Sequence, residues 1–203
     1  DGAVSANGSG GIDLDALTSV PFTFNSSVNA SAGSFSLSGG AATFADALGA
    51  NGSIEIVSSG AVQVVGATTA STGSLTVNAG PTSFGGAVNA ATSVAVTSTG
   101  STTFSSGVTT GTGGITLDAA SASVTGAVNA ATFVDVTTTG TATFSSDVTA
   151  SAGSITLDAG STSVNGAVNA GSSVDVTTAG TATFSSGVTA GTGSITLDAD
   201  SAS

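Results

Sequence analysis

Twelve carboxylates are the only side chains of this 203-residue chain that carry charge at neutral pH; it has no Lys, Arg, His, Cys or Tyr. Two pairs have a spacing that suits chemistry: Asp13 and Asp15 in "DLD", and Asp198 and Asp200 in "DAD". Residues two apart on a strand share a face and stand ~7 Å apart. That separation lies within the roughly 6.5–9.5 Å used by carboxylate pairs of inverting glycosidases. Each pair occurs once, near an end of the chain, and no Trp or Tyr is present to form a sugar platform. The usual bases, nucleophiles and charge clamps are missing with His, Lys, Cys, Arg and Tyr. The chain is therefore not expected to be an enzyme, and no catalytic or cofactor-binding residue is assigned.

Hard cations are the second chemistry open to carboxylates. Glu55, Asp135 and Asp175 fall in one column of a repeat, interrupted by Ala95; Asp118, Asp158 and Asp198 fall in another, preceded by Asn78. Asp175 lies between Val174 and Val176 and should point outward. Oxygen ligands of this kind suit Ca²⁺, but like carboxylates would recur only every ~10 Å. That spacing relieves repulsion without building a cage, and the Gly/Asp nonapeptide calcium repeat is absent. A solvated acidic face is the expectation, with no assigned metal residue; loose or interchain Ca²⁺ on the outward carboxylates is the alternative.

Hydroxyl rows are the third candidate. Thr141 and Thr143, Ser161 and Ser163, and Thr181 and Thr183 form an outward T-x-T array, of the sort that ice-binding solenoids resemble. Ser replaces Thr in alternate rows, and residues 121–123 read "SAS". Thr is also a good outward residue for any strand.

What must position these residues is a repeat. Residues 141–160, "TATFSSDVTASAGSITLDAG", return at 181–200 as "TATFSSGVTAGTGSITLDAD", identical at 16 of 20 positions. Cut every twenty residues, the fourth column reads Val4, Phe24, Phe44, Val64, Phe84, Phe104, Val124, Phe144, Val164, Phe184. Ile155 and Leu157 shift by one residue to Val174 and Val176, then return as Ile195 and Leu197. The full period is thus forty residues, built of two slightly different twenties. Within a row the apolar pairs Ala142/Phe144, Val148/Ala150 and Ile155/Leu157 are two apart, the signature of strands. Turn residues separate them. A fixed period of this kind points to a solenoid.

The expected fold is all-β, a right-handed parallel β-helix with about 20 residues and three short strands per coil. Ten rows would make a rod ~48 Å long. Residues 1–20 form the poorest row, with Gly8 in the Val column, and read as an irregular first coil, cap or junction. Residues 21–203 form the solenoid domain, expected to be open-ended at its C-terminus. An open end exposes strand edges that invite pairing. Copies stacking end to end or laterally, or continuation of a longer chain, are the expected partners.

Composition sets further bounds. The formal charge is −12, with only 6% charged residues and a mean hydropathy of +0.46. A surface without cations is a poor partner for nucleic acid or for anionic membranes. No apolar run approaches the ~18 residues of a spanning helix. The absence of Met suggests a processed product or a piece of something longer.

The stretch "GSITLDAGSTSVNGAVNAGSSVDVTTAG" (153–180) resembles the repeat regions of filamentous-haemagglutinin-type exoproteins and large autotransporter adhesins, a resemblance that extends over about residues 21–203. It implies a right-handed β-helix, export to the bacterial surface, and a role as an adhesive or structural stalk. The functional expectation is an extracellular structural rod that forms or assembles into a surface filament, sheath or fibre. The alternative is a spacer in a large secreted adhesin, and an ice-binding solenoid is a more distant one.

Overall fold

The computed structural model describes residues 4–6, 10–16 and 20–203. These contain strands and no helix, and the strands pair in parallel. They stack as a β-solenoid of about nine turns with roughly 20 residues per turn. Each coil has three sides. The first carries Val28–Ala30, Leu48–Ala50 and their successors to Val188–Ala190; the second carries Phe35–Gly39, Ile54–Ser58 and Leu75–Ala79; the third carries Phe22–Phe24 and Ala42–Phe44. The first sides form a ten-stranded sheet, and the other two sides share a sheet of sixteen strands.

Alternation drives this arrangement. Ile54, Ile56 and Ser58 are buried while Glu55 and Val57 are exposed, and Val88 and Ala90 are buried around exposed Asn89. Inward side chains meet their counterparts in the coils above and below. Phe24 stacks on Phe44 with ring centroids 4.8 Å apart, and Phe84 stacks on Phe104 at 5.0 Å. Phe144 lies between Val124 and Val164. A single coil has too few inward side chains to offset the ordering of its backbone, so coils stabilise one another through these ladders.

The structure also explains the forty-residue period. On the first side the register advances by twenty, as in Val88↔Val108 and Val128↔Val148. On the second side it advances by nineteen for Leu75↔Val94 and by twenty-one for Val94↔Ile115. On the third it is twenty again, as in Phe84↔Phe104. One residue therefore moves between corners. Three residues link Ala90 to Val94, but four link Thr110 to Ile115. At the next corner three link Ser98 to Thr102, but two link Ala119 to Ala122.

Two expectations need correction. The corner between the second and third sides does not always interrupt the strand: Val94–Phe104, Ile115–Val124 and Val174–Phe184 each run through it. The peptide groups there still pair with neighbouring coils, and a register irregularity between Ser98 and Ser101 absorbs the bend. The second correction concerns the first row. Val4 does not extend the Phe column; it registers with Val28, twenty-four residues on. Ile12 registers with Phe35, twenty-three on, and only at Phe22↔Ala42 does the step settle to twenty. The first coil is longer than the rest, so a fixed twenty-residue cut misplaces its residues. Gly8, placed in the Val column on sequence, lies outside the described residues.

Candidate functional surfaces

The carboxylates gather on the second side. Thr116 registers with Asp135, Asp135 with Thr156, and Thr156 with Asp175. One column over, Asp118 registers with Thr137, Thr137 with Asp158, and Asp158 with Thr177. Both columns sit on one outward face, and each coil from Ile115 onward contributes one Asp and one Thr in alternating order. Asp118, Asp135, Asp158, Asp175 and Asp198 thus zigzag along the rod. Neighbours on the diagonal stand ~8 Å apart at the Cα, and repeats within a column ~9.6 Å. At that range repulsion in water is about 0.5 kcal/mol before screening by salt. The two columns were legible in the sequence; their interleaving on one face was not, because it depends on the inter-coil register. Earlier in the first column stand Asp13 and, two coils on, Glu55, with Ala95 in the gap before Thr116; the sequence reading does not place Asp13 there. Among the described residues, no three acidic side chains converge on a point that could hold a metal ion.

The two spaced carboxylate pairs fare differently. Asp13 and Asp15 are both exposed on one strand, Ile12–Asp15. Asp198 and Asp200 are both exposed, but the register against the preceding coil breaks between Thr178 and Thr181, opposite Asp200. Asp200 therefore lies at a corner and is not a face partner of Asp198. Asp147 does something the sequence reading missed: its Oδ1 accepts the Ala167 N–H of the next coil at 2.8 Å, tying two corners together.

The hydroxyl array is present on the third side. Thr141 registers with Ser161 and Thr143 with Ser163, while Ser163 registers with Thr183. These residues line a shallow depression of about 140 Å³. Hydroxyls in a column reach one another, as Thr181 and Ser201 do at 3.2 Å.

No family model, curated protein or solved structure matches the chain.

A further set of hydroxyls faces inward. Ser58, Ser98, Thr138 and Thr178 are buried at the longer of the two corner types. Ser98 Oγ donates to the Gly80 carbonyl at 2.6 Å and accepts the Gly100 N–H at 3.2 Å. Ser58 likewise donates to the Gly40 carbonyl at 2.7 Å and accepts the Gly60 N–H at 3.1 Å. The extra corner residue frees backbone groups from the ladder, and the hydroxyl takes them up. The signal was visible as "SSG", "STG", "TTG" and "TAG" recurring every forty residues at 58–60, 98–100, 138–140 and 178–180. The remaining outward column, on the first side, alternates Asn and Thr through Asn89, Thr109, Asn129, Thr149 and Asn169. It carries no charge.

Proposed function

We propose that the chain is a segment of an extracellular structural protein, a stiff rod that forms or assembles into a bacterial surface filament, sheath or fibre. The observation that carries this reading is the continuous parallel ladder, in which each coil is bonded to the next on all three sides. Axial load on such a rod is shared among many backbone hydrogen bonds between coils. Bending is resisted by inward ladders such as Phe84–Phe104 and Phe144 with its Val neighbours. Trypsin-like proteases find no Lys or Arg to cleave after. Small polar outward residues on every side, with the Asp zigzag on the second, keep the long faces hydrated and discourage indiscriminate side-by-side sticking. The reading assigns no reaction and no cofactor to the chain. Its partners are copies of itself or the continuation of a longer chain, and neither nucleic acid nor membrane insertion has a part.

Cryo-electron microscopy of the native material tests this. A ~4.8 Å axial repeat along an extended fibre of this chain, outside the cell, supports the reading. Recovery only as a dispersed intracellular protein overturns it. Single thin rods anchored in an envelope, each ending in a distinct tip, favour the second reading: a spacer that holds an adhesive end away from the cell.

A further inference from the structure

Three exposed asparagines in the early coils stand two residues before a serine: Asn25 before Ser27, Asn29 before Ser31, and Asn51 before Ser53. Asn followed at the second position by Ser or Thr, with any residue but Pro between, is the acceptor motif for N-linked glycans. A fourth instance, Asn7-Gly8-Ser9, lies outside the described residues. After Asn51 the pattern stops, for Asn78, Asn89, Asn129, Asn165 and Asn169 are each followed at that position by Ala or Gly. Asn89, Asn129 and Asn169 occupy the same outward column as Asn29, so the column does not itself require a serine there.

An independent observation falls at the same place. Gly49 lies in that outward column, between Asn29 and Thr69, where Thr or Asn stands in the later coils. Glycine inside a strand weakens it. Nothing in the fold requires it here: no described glycine has a positive φ, and an added Cβ would come no closer than 3.2 Å, to Asn29 Oδ1. Its consequence is space. A groove of about 410 Å³ opens over Gly49, lined among others by Asn29, Ser31, Asn51 and Thr69. Both acceptor asparagines and one motif serine thus face one groove. Its walls offer uncharged hydroxyls and carboxamides, the groups that pair with the hydroxyls of a sugar.

We infer that Asn29 and Asn51 carry N-linked glycans, with the first sugar seated in the Gly49 groove. The inference rests on the extracellular reading above. In the transfer, the carboxamide nitrogen attacks the anomeric carbon of a sugar activated as a lipid- or nucleotide-linked diphosphate. The C–N bond forms and the anomeric C–O bond breaks; the diphosphate leaves with the electron pair, and the nitrogen gives up one proton. The activated sugar of the producing cell is the donor, and a glycosyltransferase of that cell catalyses the transfer. The fold tolerates the addition, because the Asn51 N–H bonds the Ala30 carbonyl at 2.9 Å and its carbonyl accepts the Thr72 N–H at 2.8 Å, leaving the side chain exposed.

The test is peptide mass spectrometry on the chain purified from the cells that make it, cleaved at Phe or Asp, before and after treatment with a peptide N-glycosidase. Saccharide mass is expected on the peptides bearing Asn29 and Asn51, with each asparagine converted to aspartate on release. Ser31→Ala should abolish the addition at Asn29, and Ser53→Ala the addition at Asn51, whereas Ser53→Thr should retain it. Gly49→Thr should fill the groove and speed enzymatic release from the folded rod several-fold. Unmodified Asn29 and Asn51 on a chain recovered from the cell surface would overturn the glycan inference and leave the rod standing. A chain confined to the cell interior would overturn the surface reading itself. Sugar on Asn25 alone would likewise overturn the glycan inference at Asn29 and Asn51, whereas release unaffected by Gly49→Thr would overturn only the assignment to the groove.

Discussion

The Phe133 ring lies over Gly114 of the preceding coil, where an added Cβ would fall 2.5 Å from Cε1 and Cζ. At the same corner the other coils from Ser34 onward carry Ser, as at Ser74, Ser93, Ser154 and Ser173. Two departures from the repeat therefore compensate each other across one coil spacing. Gly114→Ser alone must displace the outer end of the ring, and because Phe133 is 42% exposed the cost should stay below about 1 kcal/mol. Adding Phe133→Ser should recover most of that loss. A double-mutant cycle read by thermal denaturation checks it, and additive costs would show that the pair is not coupled.

The core assignment makes an unequal pair of predictions. Phe144→Ala should cost about 3–5 kcal/mol, since it empties space shared with the coils above and below. Phe144→Asp should abolish the cooperative transition by burying an unpaired charge. Asp175→Ser, on the hydrated face, should shift stability by less than about 0.5 kcal/mol. Circular dichroism melts of the three variants decide this, and equal effects would refute the inward and outward placement.

Thr68 stands inside the first-side Val column between Leu48 and Val88, 1% exposed, and its hydroxyl has no hydrogen-bond partner. Thr68→Val keeps the shape and removes an unsatisfied donor. It should stabilise the rod by about 1 kcal/mol or more, measured as a rise in the denaturation midpoint. A fall would mean that the hydroxyl is satisfied in solution.

Ser98 tests the corner hydroxyls. Ser98→Ala removes the 2.6 Å bond to the Gly80 carbonyl and the acceptor for the Gly100 N–H, and should cost about 1–3 kcal/mol. Thr178→Ala should cost less, because its bond to the Gly180 carbonyl is 3.3 Å long. Faster hydrogen exchange at the Gly100 amide in Ser98→Ala is the local readout.

Much of this molecule was legible from its residues alone. Period-two pairs such as Ile155 and Leu157 specify strands because alternate side chains leave a strand on opposite faces. A constant twenty-residue return of Phe, Val and Ala specifies a solenoid because each coil must bury its inward row against the next. The inward place of Phe144 and the outward place of Asp175 follow from the same two facts. Absence of Lys, Arg and His likewise bounds the chemistry from composition alone.

Inter-coil register was decided only in three dimensions. It puts Asp118 and Asp135 on one face in alternation, sets Val4 beside Val28, and brings Phe133 over Gly114. None of these follows from a fixed spacing along the chain, because corners of three and four residues shift the register between coils of equal length and the first coil is longer than the rest. The Gly49 groove arises the same way: it exists only because residues about twenty apart become lateral neighbours, so that one missing side chain opens space between two asparagines. Periodicity specifies which side chains face inward, whereas hydrogen bonding between coils determines which residues become neighbours.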